Sequence, residues 1–194
     1  MTLPTAPSPV FDRYLQEHLE TFSRLGELRP QVESAARQMV RTLQAGGKLL
    51  FCGNGGSAAD SQHLAAELTG RFIDDRPPLA AIALSTDTSA LTCIANDYSF
   101  ADVFERQVRA LGRPGDCLVG ISTSGNSQNV LRAVRSAQSL GLTCVGLLGR
   151  DGGEIAPLCD VAVVVPSRVT ARIQEAHIFI GHAWCALIEE LLAF

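Results

Sequence analysis

Two side chains that can move protons or bind a metal, His63 and Glu67, stand four positions apart in a segment with a helical pattern. Side chains at this spacing lie on one face of a helix, about 6 Å from each other. Apolar residues surround the pair in the sequence, which disfavours a wholly solvated face. The alternative interpretation is an exposed ion pair without a function.

A glycine-rich turn comes directly before this helix. The apolar run 48–52 breaks at GNGG (53–56) and a helical pattern begins at Ser57, an order that predicts strand, tight turn and helix. Free amide groups at such a helix N-terminus, with Ser57 as the predicted N-cap, suit an anion and above all phosphate. The turn matches neither of the common nucleotide-binding glycine patterns. A tight α/β turn without a ligand is the alternative.

A second polar turn follows another apolar run. Residues 122–127, STSGNS, carry four hydroxyl groups where a strand is predicted to end and a helix to begin. Hydroxyl groups beside helix N-terminal amides bind phosphate without lysine. The alternative is a polar loop that only caps a helix.

The C-terminal helical segment carries Gln174, His177 and His182 within a wide apolar stripe. We interpret His177 as a core histidine, whereas a core and a functional role are equally favoured for His182. Gly181 costs about 1 kcal/mol against alanine in a helix interior, which indicates a close approach of another element beside His182. Gln174 and His182 are separated by about 12 Å along a helix, so spacing alone is weak evidence that they share a metal with the histidine and glutamate of the first helix.

The elements that position these residues alternate between strand and helix. Strands are predicted near 48–52, 79–85, 116–121, 142–148 and 161–165, and the run 79–85 is predicted to be buried on both faces. Nearly all-apolar strands between helices predict a three-layer, doubly wound α/β fold with a five-stranded parallel sheet. Both polar turns would emerge at the carboxyl ends of the strands, where such sheets bind ligands.

Other helices flank this core. Helices at about 11–25 and 30–45 form an N-terminal pair, which we expect to cover an edge or to make a subunit contact, and a long helix runs from about 170 to 193. A short helix through residue 94, a polar loop and a helix over 100–111 are predicted between the second and third strands. We expect residues 1–10 to form a flexible tail and residues 11–194 to form a single domain.

Composition limits the functional classes. The 194 residues are 46% hydrophobic and 19% charged, typical of one globular domain, and the net charge of −4 indicates neither a nucleic-acid nor a membrane partner. The six cysteines are scattered without a C-x-x-C pair, which favours a reducing cytoplasm. Neither a targeting segment nor a membrane span is predicted.

Four segments in collinear order carry a resemblance to a known family. They are CGNGGSAADSQHLAAELTGRF (52–72), ALSTDTSALTCIANDYSF (83–100), GISTSGNSQNVLRAV (120–134) and RIQEAHIFIGH (172–182). From about Arg13 to its end, the chain resembles the sugar isomerase (SIS) domain family and, within it, the phosphoheptose isomerases. This resemblance implies a homotetramer of flavodoxin-like subunits, with active sites at subunit interfaces and one zinc ion per subunit.

The resemblance also implies the residues of the site. The zinc ligands would be His63, Glu67, Gln174 and His182, with Glu67 and His182 also acting as the acid/base pair. The implied substrate-binding residues are Asn54, Gly55, Gly56, Ser57, Glu67, Asn96, Asp97, Ser122, Thr123, Ser124, Ser127 and Gln174.

The implied activity is an aldose–ketose isomerisation. It converts D-sedoheptulose 7-phosphate to D-glycero-D-manno-heptose 7-phosphate through an enediolate, at the start of nucleotide-activated heptose synthesis for bacterial surface glycans. Two alternatives exist within the family: a non-enzymatic relative that binds the replication initiator, and a sugar-phosphate sensor. The initiator-binding relative lacks the helix glutamate and the final histidine, and a sensor needs neither. The presence of Glu67 and His182 therefore favours the enzyme.

Overall fold

The computed structural model describes residues 8–193, which form a parallel sheet covered by helices. The strands are β1 (Leu49–Gly53), β2 (Ala81–Ala83), β3 (Cys117–Ser122), β4 (Thr143–Gly149) and β5 (Val161–Val165). The helices are α1 (Val10–Ser23), α2 (Arg29–Gln44), α3 (Gly56–Thr69), α4 (Thr88–Asp97), α5 (Val103–Leu111), α6 (Gln128–Ser139) and α7 (Thr170–Leu192). The strand order is β2-β1-β3-β4-β5 and every pair is parallel. This order is flavodoxin-like, so the predicted fold class is confirmed.

Two hydrophobic cores cover the two faces of the sheet. One contains buried residues of α2, α3 and α7, including Leu64 and Trp184, and the other contains buried residues of α5 and α6, including Phe104 and Val134. Because a core covers each face, the central strands β1 and β3 are buried along their whole length. The three-layer arrangement holds α3 and α7 side by side on one face.

The strand register brings the two predicted polar turns together. Gly53 at the end of β1 pairs with Ile121 of β3, and Ser122 follows directly. The turn after β1 and the turn after β3 therefore start within one residue of each other at the same edge. As predicted, this is the carboxyl edge of the sheet.

The prediction for the second strand was wrong in extent and burial. Only Ala81–Ala83 are in β2, and Ile82 is 37% exposed. Ala81 and Ala83 pack in the core formed with α2, α3 and α7, whereas Ile82 points to the opposite face of the sheet and lies outside both cores. A continuous apolar run therefore did not guarantee burial on both faces.

Two predicted helices differ in extent. α4 continues to Asp97 instead of stopping near residue 94, so the predicted loop residues Asn96 and Asp97 are its last turn. The predicted helix over 100–111 begins with a 3-10 turn, Phe100–Asp102, and becomes α-helical at Val103. The Ser99 side chain accepts a hydrogen bond from the amide of Ala101 and so starts the 3-10 turn.

The N-terminal helical pair is present. A 3-10 turn, Leu25–Leu28, joins α1 to α2, and Pro30 lies in the first turn of α2, where its missing N–H leaves no carbonyl unpaired. Residues 1–7 of the predicted tail lie outside the described residues, whereas α1 already begins at Val10. Over residues 8–193, no helix has both the length and the apolar character needed to cross a bilayer.

Candidate active site

His63 and Glu67 on α3 converge with His182 on α7. The Nε2 atom of His63 lies 2.9 Å from Nε2 of His182 and 3.2 Å from Oε1 of Glu67. The His63 side chain is 46% exposed and that of Glu67 is 25% exposed, so a solute can reach both. Three groups able to bind a metal or transfer protons therefore meet at one accessible point.

Gly181 permits this convergence. A Cβ atom at this position would lie 2.6 Å from Cδ2 of Leu64 on α3, well inside van der Waals contact. The two helix backbones therefore approach closely one residue before His182, as the glycine inside α7 predicted. Leu64 is buried, so this contact is part of the core that holds the two helices together.

The chemistry of the cluster suits a divalent transition metal. Two imidazoles and a carboxylate are typical zinc ligands, and two nitrogen ligands of a tetrahedral zinc lie about 3.3 Å apart. The two Nε2 atoms are already 2.9 Å apart, joined by a hydrogen bond whose proton an ion would replace. In the part of the chain that the structure describes, no three His, Cys, Asp or Glu side chains already form a metal-binding group. Small movements of the two rings would open the position between them.

Gln174 lies further along the groove between α3 and α7. Its Nε2 atom packs over Gly56, where a Cβ would be 2.4 Å away. Gly56 begins α3, seven residues before His63, which corresponds to about 10 Å along the helix. Gln174 makes no hydrogen bond to the His63 cluster, so the structure brings together three of the four predicted ligands and leaves the amide beside the glycine turn.

The glycine turn after β1 depends on an unusual backbone conformation and on side-chain hydrogen bonds to α6. Gly55 has φ +55° and ψ −121°, a conformation that strongly favours glycine. The side-chain amides of Asn54 and Asn129 exchange two hydrogen bonds of 2.8 Å, which tie this turn to the start of α6. Asn129 is buried, and its role was not predicted because its partner is remote in the sequence.

The prediction that Ser57 caps α3 was wrong. Gly55 occupies the N-cap position, and Ser57 lies within the first helical turn, 3% exposed. A Cβ on Gly53 would lie 2.7 Å from Cβ of Ser57, so the serine packs against the strand end. The amide of Ser57 donates to the carbonyl oxygen of Asn54 at 3.0 Å, whereas its hydroxyl makes no hydrogen bond within residues 8–193.

The hydroxyl-rich turn after β3 forms a compact network. Oγ of Ser122 lies 2.9 Å from Oγ of Ser127 and 3.5 Å from Oγ of Ser124. Ser127 is the N-cap of α6, and its side chain makes no capping hydrogen bond. Thr123, between the serines, is half-buried. The hydroxyls therefore face one another at a helix N-terminus instead of capping it, an arrangement suited to a phosphate.

Two arginines that were not predicted stand beside this turn. Arg150 and Arg168 line a cavity of about 430 Å³ together with Ser124, Asn126 and Asp151. Within residues 8–193, neither guanidinium group is in an ion pair or donates a hydrogen bond. They supply positive charge that the overall net charge of −4 conceals. The signal in the sequence was only that Arg150 directly follows a strand.

Asn96 and Asp97 lie apart from the other predicted site residues. Both are exposed at the end of α4, where Nδ2 of Asn96 donates to Oδ1 of Asp97 at 2.8 Å. This bond, with a weaker one from the Cys93 thiol, lowers the pKa of Asp97. The described contacts join neither residue to the serine turn or the histidine cluster.

His177 is a core residue, as predicted. It is fully buried, its Nε2 lies 3.0 Å from the carbonyl oxygen of Leu148, and burial lowers its pKa to about 4. Asp60 was not predicted: it lies one helical turn before His63, and burial raises the pKa of its carboxyl while the nearby His63 opposes that shift. The apolar stripe of α7 predicted the core role of His177, whereas no sequence pattern indicated the partial burial of Asp60.

Comparison with known proteins places the chain in a family. The profile of the SIS domain matches residues 13–149. The phosphoheptose isomerase of Rhodospirillum rubrum is 51% identical over 179 residues, which cover 92% of this chain and 95% of that protein. The phosphoheptose isomerase of Nitratiruptor is 56% identical over 180 residues, which cover 92% of this chain and 96% of that protein.

Solved structures of phosphoheptose isomerases are also similar to this chain. The phosphoheptose isomerase from Neisseria gonorrhoeae has a TM-score of 0.87 at 50% identity, with 92% of this chain and 97% of that chain covered. The one from Francisella tularensis has a TM-score of 0.90 at 38% identity, with 93% and 96% covered. The chain belongs to the SIS domain family and, within it, to the phosphoheptose isomerases.

Proposed function

We propose that the protein interconverts D-sedoheptulose 7-phosphate and D-glycero-D-manno-heptose 7-phosphate through an enediolate. The observation that carries this proposal is the convergence of His63, Glu67 and His182 at one exposed point of a sugar-phosphate isomerase fold. An aldose–ketose isomerisation moves one proton between adjacent carbons and stabilises an oxyanion. The cluster contains groups able to do both.

The substrate phosphate would bind at the carboxyl edge of the sheet. The Asn54–Ser57 turn and the hydroxyls of Ser122, Thr123, Ser124 and Ser127 would hold it, because these two turns begin side by side. Arg150 and Arg168 add positive charge next to Ser124. Asn96, Asp97 and Gln174 would contact the sugar, with the α4 pair reaching it from a greater distance or from another subunit.

Glu67 would transfer the proton that defines the reaction. Its carboxylate would remove the proton from C1 of the ketose and return it at C2, so that the carbonyl moves from C2 to C1. His182 would donate and accept protons at the sugar oxygens and during ring opening. Because these two side chains approach His63 from different helices, they would act on the substrate from different directions.

Zinc would be held by His63, Glu67, Gln174 and His182, one ion per subunit. When bound, it supplies a Lewis acid that stabilises negative charge on the sugar oxygens. A carboxylate that ligates a metal is a weaker base, so the two roles proposed for Glu67 oppose each other. The position of Gln174 beside Gly56 means that it would have to reach along the groove, or that the ligands come from two subunits.

A homotetramer with sites at subunit interfaces would complete the site. The N-terminal helical pair, residues 11–45, is the proposed oligomerisation segment, supported by the exposure of large apolar side chains such as Phe11 (73%) and Leu19 (54%) on α1 and Phe179 (51%) on α7. The single-domain SIS unit would act in the cytoplasm, consistent with six free cysteines. Its product would feed heptose synthesis for lipopolysaccharide or another surface glycan.

An assay of the purified protein with D-sedoheptulose 7-phosphate tests the proposal. We expect turnover that a chelator removes and added zinc restores. Glu67→Gln should lower kcat by about 100- to 10,000-fold while the tetramer persists, because the proton acceptor is lost. Absence of turnover in a zinc-loaded tetramer would refute the isomerase and favour an initiator-binding or sensing role; an active Glu67→Gln variant would refute the assignment of the base.

A further inference from the structure

Glu189, near the end of α7, holds the segment that follows α3. Its two carboxylate oxygens accept hydrogen bonds from the backbone amides of Phe72 and Ile73, each at 3.2 Å, and from Nε of Arg76 at 2.8 Å. The side chains of Arg76 and Glu189 are 0% and 9% exposed. This buried ion pair is satisfied by backbone partners and ties residues 72–76 to α7.

Arg76 extends the same network to Glu67. Its Nη2 donates to the carbonyl oxygen of Glu67 at 2.8 Å, and its Nη1 donates to that of Leu68 at 2.9 Å. α3 ends at Thr69, so these carbonyls belong to the last turn, which lacks helical donors. The guanidinium therefore fixes the backbone from which the proposed base projects.

Phe72 connects the network to His182. The Phe72 ring stacks on the His182 imidazole, with ring centroids 5.5 Å apart and planes inclined by 26°. Glu189 holds the Phe72 amide, and Glu189 itself lies two turns beyond His182 on α7. The Glu189 carboxylate thus holds the Phe72 ring, which packs on His182. Through Arg76 it also holds the backbone that carries Glu67.

We propose that Glu189, together with Arg76 and Phe72, is a positioning device that sets the distance and orientation of Glu67 and His182. This inference rests on the proposed function of those two residues. Glu189 and Arg76 do not touch the reacting atoms; they act through the end of α3 and through the Phe72 ring. Outer partners that orient metal ligands typically change metal affinity by 10–100-fold when removed.

A matched control exists at the opposite edge of the sheet. Asp116, just before β3, also accepts two backbone amides, those of Lys48 at 2.9 Å and Arg113 at 2.8 Å, and pairs with the Lys48 ammonium. Its side chain is 4% exposed. Asp116→Asn therefore removes a comparable buried ion pair far from the candidate site.

The test compares Glu189→Gln with Asp116→Asn. We expect Glu189→Gln to lower kcat about tenfold, to change KM less than twofold and to weaken zinc binding about tenfold. Both variants should lower the melting temperature by a similar amount, but Asp116→Asn should leave kcat, KM and zinc affinity near their wild-type values. The proposal would be overturned if the two variants, compared at equal folded fraction, lowered kcat and zinc affinity equally.

Phe72 provides a second test that keeps the ion pair. Phe72→Leu should lower kcat severalfold, whereas Phe72→Tyr, which keeps the aromatic ring, should retain wild-type kcat. The His182 Cε1–H resonance should shift in Glu189→Gln, which keeps the Phe72 ring, but not in Asp116→Asn, whether or not the wild type turns over the heptose phosphate. A shift without wild-type turnover would reject the proposed function and retain the positioning; an unshifted resonance would reject the positioning.

Discussion

Replacing Gly181 with alanine tests whether the close contact between α3 and α7 sets the geometry of the site. The new Cβ would lie 2.6 Å from Cδ2 of Leu64, whereas ordinary contact begins at 3.4 Å. Leu64 is 1% exposed and has little room to turn away, so α7 must move outward. The adjacent His182 would then move away from His63, whose Nε2 is now at 2.9 Å.

The magnitude follows from two opposing effects. Alanine gains about 1 kcal/mol of helix propensity over glycine, and overpacking a core contact costs about 1–3 kcal/mol. The free energy of unfolding should therefore fall by only about 0–2 kcal/mol. Activity should fall far more, by about 10–100-fold in kcat/KM, because misplacing a catalytic group by about 1 Å has effects of that size.

The assay measures kcat/KM with D-sedoheptulose 7-phosphate and the urea midpoint in parallel. Asp116→Asn is the control, since Asp116 is buried at the opposite edge of the sheet from the candidate site. We expect this control to lower the urea midpoint and to keep wild-type kcat/KM. Wild-type kcat/KM in Gly181→Ala would refute the argument that helix contact sets the distance between the two histidines.

Two further predictions concern stability. Asn129→Ala should lower the free energy of unfolding by about 1–3 kcal/mol, because it leaves the Asn54 amide without its partner. In urea unfolding, the double variant with Asn54→Ala should lose less free energy of unfolding than the sum of the two single variants. Strict additivity would contradict the pairing. Burial lowers the pKa of His177 from 6.5 to about 4, so the unfolded chain binds the proton more tightly and stability falls as the pH drops through this interval, by roughly 1 kcal/mol per pH unit. His177→Gln should flatten that part of the pH dependence of the urea midpoint, and an unchanged slope would show that another group is responsible.

The helical spacing of His63 and Glu67 was sufficient to predict that both face one direction, since a helix places residues four apart on one side. The order of apolar runs and polar turns was sufficient for a parallel sheet with its ligand edge at the two turns. Local patterns were misleading where burial depended on remote elements. Ile82 is exposed because it lies outside both hydrophobic cores, and Ser57 is not the cap because Gly55 occupies that position.

What the sequence alone determined is local: the strand–turn–helix units, the core role of His177 and the glycine that marks a close approach in α7. These properties depend on residues within a few turns of one another. Only the tertiary structure decided which remote residues meet, since His63 and His182 are 119 positions apart and Asn54 and Asn129 are 75 apart. The Arg76–Glu189 ion pair spans 113 positions and is invisible to periodicity, because packing of α7 on α3, and not spacing along the chain, creates it.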